Sequence, residues 1–286
     1  MRVSSLRTFL ILGRVSNLPT VWSNCLAGWW LGGRGNSESL PFLFAGLTLL
    51  YVGGMFLNDA FDAEFDRQHR KERPIPSGAV TLPAVWRWGL AGLVAGLVLL
   101  FVVDLTAGAL GIALMLCILL YDAIHKLITF SPVLMGLCRF WVYLIAAAVG
   151  AQGVTGRAIW SGLALMAYVT GLSFLARRES TRGPAQFWPV SLLAVPLLFA
   201  LLMNVGWYRE PALLLSLALA LWAVRCLRMT FWTGTVNVGR TVAGLLAGIV
   251  FVDWLAVAPE ISRELSGLFL ILFLATLLFQ RFVSAT

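Results

Sequence analysis

Charge is what this sequence has least of. Only 12% of its 286 residues are Asp, Glu, Lys or Arg, while 60% are hydrophobic. Soluble domains carry about a quarter charged residues, so a chain this apolar could not cover a water-facing surface, and an ordinary soluble domain is excluded. Histidine is nearly missing: His69 and His125 are the only two, and neither has partners at metal-ligand spacing. The four cysteines (Cys25, Cys117, Cys138, Cys226) fall in or near apolar stretches and form no CxxC pair. That excludes a paired-cysteine zinc site and a disulfide framework. Hydrophobic alternation is also missing, which argues against a β-barrel. The stretch Met1–Arg14 has too short an apolar run, and no small-residue cleavage site, for a secretory signal.

What is present is long uncharged runs, such as Ala91–Val103 and Leu268–Phe279. With their neighbours they approach the ~20 apolar residues that a bilayer core requires. Ten apolar segments can be drawn, at 17–33, 40–58, 84–103, 106–121, 130–150, 157–176, 187–205, 211–228, 240–258 and 264–281. Residues 4–14 mix basic and apolar groups and suit the membrane interface. The expectation is one all-α domain over 1–286, a polytopic transmembrane bundle of nine to ten helices. With the N-terminus inside, 16 of the 21 Lys and Arg fall on the inner side. Arg34, Arg157, Arg209 and Arg263 fall outside, and Arg139 lies within a span. This bias follows the positive-inside rule. It accounts for the net charge of +8 without a nucleic-acid partner, and the whole leans towards a bacterial inner membrane with its working side cytoplasmic. Gly92 with Gly96, and Gly244 with Gly248, are spaced for close helix contact.

Charge is dense in one place, Met55–Gly78, which reads MFLNDAFDAEFDRQHRKERPIPSG. If helix continues past Asn58, then Asp59, Asp62 and Asp66 fall at i, i+3 and i+7, on one face. Like charges stacked this way repel, and a bound Mg²⁺ would relieve the repulsion. Magnesium takes one or two carboxylates together with phosphates and waters. Glu64 falls on another face, where it is solvated. The basic run Arg67–Arg73, with Arg70 and Arg73 in it, suits a diphosphate, because Arg forks match phosphate oxygens. RPIPSG (Arg73–Gly78) then stiffens the loop as it returns to the membrane.

NDAFDAEFD resembles the NDxxDxxxD motif of the UbiA superfamily of intramembrane prenyltransferases, and RPIPSG resembles its sequel there. Arg14–Asn17 is similar to the family's motif ahead of the first span, with its asparagine, Asn17. Tyr121 and Lys126 resemble its YxxxxK pattern. The resemblance implies a helical bundle with a central cavity open to the membrane. The implied reaction is Mg²⁺-dependent transfer of an isoprenyl group from an isoprenyl diphosphate to an aromatic or lipid-like acceptor. By the same resemblance Asp59, Asp62 and Asp66 hold Mg²⁺ with Asn58 assisting. Arg73 and Lys126 steady the diphosphate, and Tyr121 lies near the reacting centre.

The loop after the sixth span departs from the family, which has a second aspartate-rich motif there. This chain has FLARRESTRG (Phe174–Gly183), with Glu179 its only acid beside Arg177, Arg178 and Arg182. Its ARRE resembles the EboC-like branch of the superfamily. Either the arginines neutralise the diphosphate in place of a second cation, or the site binds a phosphate-bearing lipid without ionising it. The alternative function is therefore a non-catalytic relative that binds or helps transport a hydrophobic, prenylated metabolite. Arg139, a charge inside a span, faces the substrate cavity or a structural partner, and Asp253 is placed to be that partner. His69 and His125 read as solvated loop residues, and Asp122 as a surface acid or part of the polar mouth.

Overall fold

The computed structural model describes residues 6–177, 188–204, 209–232, 237–258 and 262–284. All ten apolar segments are helical in the described residues, with two short helices added. In chain order the helices are α1 (Leu6–Leu12), α2 (Leu18–Leu31), α3 (Leu40–Phe61), α4 (Ala63–His69), α5 (Leu82–Val103), α6 (Leu105–Ile124) and α7 (Ser131–Ala148). There follow α8 (Gly156–Arg177), α9 (Trp188–Leu193), α10 (Val195–Met203), α11 (Arg209–Phe231), α12 (Val238–Val257) and α13 (Arg263–Phe279). Seven of these, α3, α5, α6, α7, α8, α11 and α12, are long and apolar enough to cross a membrane. The first expected span is shorter, 14 residues in α2. The seventh divides at Ala194, just ahead of Pro196 at the start of α10, where a proline withholds one donor and disfavours helix before it.

Local chemistry sets many boundaries. Proline occupies the first turn of α2, α3, α5, α7 and α10, where its missing N–H leaves no bond unmade. Asp104 ends α5 and caps α6, its Oδ1 accepting the Ala107 N–H at 2.8 Å. Asn237 and Ser262 cap α12 and α13 in the same way.

Burial sorts the spans. Of the apolar stretches in α8 and α12, 61% is buried, against 28% in α5 and α11, so α8 and α12 are central and α5 and α11 peripheral. Val94, Val98 and Val102 stand exposed along one stripe of α5, as do Leu214, Leu217 and Leu221 on α11. Apolar stripes at helical spacing on the rim are surfaces for lipid. Close contact falls where small residues allow it. Gly46 and Gly53 of α3 meet Gly96, Gly92 and Gly89 of α5, and Gly28 of α2 and Gly32 just beyond its end meet the α7 backbone.

Candidate active site

A cavity of about 580 Å³ opens among the C-terminal parts of α3, α6 and α8 and the N-terminal parts of α7 and α12. Its wall changes character with position. Asp62, Arg70, Arg73, His125 and Lys126, from helix ends and the segments beside them, make its charged part, the mouth, whereas Val169, Leu172, Val242, Leu246 and Ile249, from within α8 and α12, make its apolar part. Asn17, Asn58, Tyr121, Arg139 and Arg177 also face it, as does Arg14. Most of the residues singled out in the sequence are thus brought to one opening. Arg178 and Glu179 lie outside the described residues.

The three aspartates divide their tasks. Backbone bonding runs on through the α3–α4 junction, Asp62 N–H to Asn58 O at 3.0 Å and Asp66 N–H to Asp62 O at 2.9 Å, so the helical spacing is kept although α3 ends at Phe61. Asp62 lines the cavity. Its Oδ1 is 2.6 Å from Lys126 Nζ and 3.3 Å from His125 Nε2. Asp59 is buried behind it, accepting from Arg73 at 3.1 Å and facing Arg14 at 3.5 Å. Asp66 is 2% exposed, and its Oδ1 has no hydrogen-bond partner. Among the described residues no three His, Cys, Asp or Glu side chains converge into a ready metal cage.

The electrostatics follow from these contacts. Burial pushes the Asp62 carboxyl up, but hydrogen bonds from His125 and Lys126 outweigh it and leave the group below its ordinary range. Burial lowers His125, and the bond to Asp62 more than restores it, so the imidazole holds its proton above its ordinary value. Asp66 is pushed up by burial; Arg73 opposes this, and the nearby charges of Asp62 and Asp59 add to it. The acids therefore crowd one another, and a hard divalent cation is the natural relief for an unpartnered buried carboxylate oxygen beside them.

Several of these partners were hidden in the sequence. Arg14 takes a left-handed backbone conformation (φ 42°, ψ 48°), a cost of about 1–2 kcal/mol for a residue other than glycine. Its surroundings fix it: Nη2 donates to Asn58 Oδ1 at 3.1 Å, and its carbonyl accepts from Tyr51 Oη at 3.3 Å. Asn58 in turn donates to Asp122 at 3.0 Å. Asp122 is buried, not a surface acid. His125, read as solvated, contacts Asp62 and stacks on Tyr121 with ring centroids 5.1 Å apart. Glu64 does lie on the outer face, paired with Arg67 at 2.8 Å. Arg177 Nη1 donates to the carbonyls of Ile128 and Thr129 at 2.8 and 2.7 Å, so it ties the α6–α7 loop while lining the cavity. Arg139 and Asp253 do not touch; Asn24 joins them.

Comparison with known proteins gives the family and the fold. A model of the UbiA prenyltransferase family matches residues 18–181. A digeranylgeranylglyceryl phosphate synthase from Methanothrix thermoacetophila is 30% identical over 118 residues, 41% of this chain and 44% of that protein. The chain thus spans less than half the length of that curated relative. Among solved structures, the apo structure of a UbiA homolog from Aeropyrum pernix K1 superposes with a TM-score of 0.66 at 17% identity, over 85% of this chain and 96% of that one. A UbiA homolog from Archaeoglobus fulgidus bound to GPP and Mg²⁺ gives 0.63 at 13% identity, over 96% and 97%. At these identities the two structures speak for the fold. These relatives are archaeal, whereas composition alone leaned towards a bacterial membrane.

Proposed function

This chain belongs to the UbiA prenyltransferase family, and from that premise we propose that it transfers an isoprenyl group from an isoprenyl diphosphate to a lipophilic acceptor inside the membrane, with Mg²⁺ as cofactor. The observation that carries the reading is a cavity whose lining joins the charged side chains Asp62, Arg73 and Lys126 to an apolar wall of α8 and α12. A diphosphate head and a hydrocarbon tail call for those two surfaces in that order.

Asp62, with Asp66 behind it, would hold the ion, whose chemistry is to draw off the negative charge that grows on a leaving diphosphate. Arg70, Arg73 and Lys126 bind the phosphate oxygens, and Asp59 keeps Arg14 and Arg73 in place from behind. Asn58, which lines the cavity, is fixed between Arg14 and Asp122. Tyr121 borders the reacting carbon. The allylic C–O bond breaks with its electron pair going to the diphosphate oxygen. The acceptor's nucleophile forms the new bond to carbon and gives up its proton to the departing diphosphate. The apolar wall keeps water from that carbon. The mouth faces the cytoplasm, since the basic loops gather on its side.

The rival reading, a non-catalytic carrier, draws on one feature: Asp62 is the only carboxylate lining the described cavity. One experiment decides between them. Purified protein with labelled geranyl, farnesyl and geranylgeranyl diphosphates, Mg²⁺ and a panel of aromatic and lipid acceptors releases diphosphate if it is a transferase. Binding without release across the whole panel would favour the carrier.

A further inference from the structure

Helix α12 presents one face to the cavity, through Val242, Leu246 and Ile249. Arg240, Gly244, Gly248 and Phe251 recur at i, i+4, i+8 and i+11 and so lie on the opposite side of the same helix. Helices α11 and α13 pack on either side of that second stripe. Trp222 Nε1 of α11 donates to the Gly244 carbonyl at 2.7 Å, and Gln280 Nε2, from the residue that ends α13, donates to the Ala243 carbonyl at 3.0 Å. The three helices thus meet at one turn of α12. Further along α12, three rings close the space between the outer two helices: Phe273 stands 5.0 Å from Trp222 and 4.6 Å from Phe251, centroid to centroid. The result is a groove floored by α12 and walled by α11 and α13, about 16 Å long from Arg240 to Phe251.

Each wall is the edge of a lipid-facing stripe that ends in a cation. On α11, Leu214 and Leu221 are exposed, and Arg225 continues their line at i+11 from Leu214. On α13, Leu270 and Leu274 are exposed, and Arg281 continues theirs at i+11 from Leu270. Arg225 Cζ lies 5.3 Å from the centre of the Trp222 ring, so the guanidinium leans over the aromatic end of the groove. Arg225, Arg240 and Arg281 are all exposed, and among the described residues none of them is in an ion pair. The acids of these helices, Glu210, Asp253 and Glu264, belong to their opposite ends. A topological bias towards basic residues on this side accounts for their number but not for their placement around one groove. Arg228, three residues beyond Arg225, shows the difference, because it lies on another face of α11.

The chemistry of the groove selects its ligand. Three arginines without a counter-charge favour an anion, and their forks match phosphate oxygens. A free anion would make no use of the glycine and aromatic floor or of the leucine walls. An anionic phospholipid uses both, since basic pockets between spans take its headgroup and a hydrocarbon chain covers apolar surface. We propose that this groove binds one anionic phospholipid, with its phosphodiester at Arg225, Arg240 and Arg281 and one chain along the stripe from Gly244 to Phe251. The site lies across α12 from the cavity and does not rest on the transferase reading.

The test uses the full-length protein in dodecyl maltoside. Dioleoyl phosphatidylglycerol and dioleoyl phosphatidylcholine are titrated separately, and bound lipid is counted by native mass spectrometry. One phosphatidylglycerol per chain should bind at least tenfold more tightly than phosphatidylcholine, and inorganic phosphate in large excess should not displace it. Arg225→Gln, Arg240→Gln and Arg281→Gln should each weaken the preference, and the triple variant should abolish it. Arg228→Gln removes the same charge from outside the groove and should keep it. Equal binding of the two lipids by the wild type would overturn the proposal without any variant having to fold. Displacement by inorganic phosphate would do so too, by making this a site for free anions. An equal loss in Arg228→Gln would reduce the preference to net charge and overturn it as well. Release of diphosphate, which tests the transferase reading, is a separate measurement, so either conclusion can fail while the other stands.

Discussion

Lys126 Nζ lies 2.6 Å from Asp62 Oδ1, the carboxylate oxygen that also meets His125 Nε2 at 3.3 Å. An ammonium therefore stands on the acid proposed to hold the metal, and it is steadied there by the Phe65 ring 4.1 Å away. A divalent ion and a lysine compete for one oxygen, but a diphosphate offers the lysine a new partner. Lys126→Met should accordingly have effects of opposite sign. Mg²⁺ alone should bind several-fold more tightly, because a competing charge is gone. Geranyl diphosphate should bind about tenfold more weakly, since a charge-assisted hydrogen bond contributes about 1.5–3 kcal/mol. Calorimetric titration of each ligand separately checks both signs, and a fall in both affinities would reduce Lys126 to a phosphate contact alone.

Asp59 and Asp62 are three residues apart and should fail in different ways. Asp62 faces the cavity; Asp62→Asn should abolish the Mg²⁺ dependence of diphosphate binding and leave the thermal midpoint near that of the wild type. Asp59 is buried between Arg14 and Arg73. Asp59→Asn leaves two guanidinium groups without their shared counter-charge, and breaking a buried pair costs about 3–5 kcal/mol. Its signature should be a lowered thermal midpoint in detergent, with metal dependence surviving in whatever protein remains folded.

The division between these acids marks the limit of what the sequence discloses. The ten helical segments were legible because a bilayer leaves the backbone little choice but helix, and an apolar run announces itself. The spacing of Asn58, Asp59, Asp62 and Asp66 was legible because helix geometry carries across the α3–α4 junction. Which of them faces the cavity was not, since Asp62 owes its position to contacts with His125 and Lys126 from another helix end. His125 looked like a lone loop imidazole for the same reason. The left-handed turn at Arg14 leaves no compositional trace, as that conformation usually falls to glycine or asparagine. The break at Ala194 did leave one, in Pro196.

Arg177 is the part of the sixth-span loop that the structure does place, and it bonds to the α6–α7 connection. Nη1 reaches the Ile128 and Thr129 carbonyls and Ser131 Oγ, and Ser131 Oγ donates to the His125 carbonyl. The loop that carries His125 and Lys126 is thus pinned by an arginine from α8. Arg177→Ala should raise the KM for the diphosphate about tenfold by loosening Lys126, and Arg177→Lys should restore part of it, because all three acceptors are met by one nitrogen, Nη1, and an ammonium also carries three donors. Steady-state kinetics with both variants test this; full rescue by lysine would assign Arg177 a purely electrostatic task.

The packing of α2 on α7 should matter as much as any charge. A methyl group added at Gly28 would stand 2.6 Å from the Tyr143 carbonyl oxygen and 2.9 Å from Ala146 Cβ, and backbone cannot move aside as a flexible side chain can. Gly28→Ala should therefore force the two helices apart at a cost of about 1–3 kcal/mol. It should also draw Thr20 and Asn24 away from Arg139, whose guanidinium they hold. The same substitution at Gly267 of α13, with nothing within 4 Å of the new methyl, should be neutral or stabilising by up to about 1 kcal/mol, since alanine favours helix. Thermal midpoints of the two variants in one detergent measure the contrast, and equal midpoints would mean that α2 and α7 are not in close contact at Gly28.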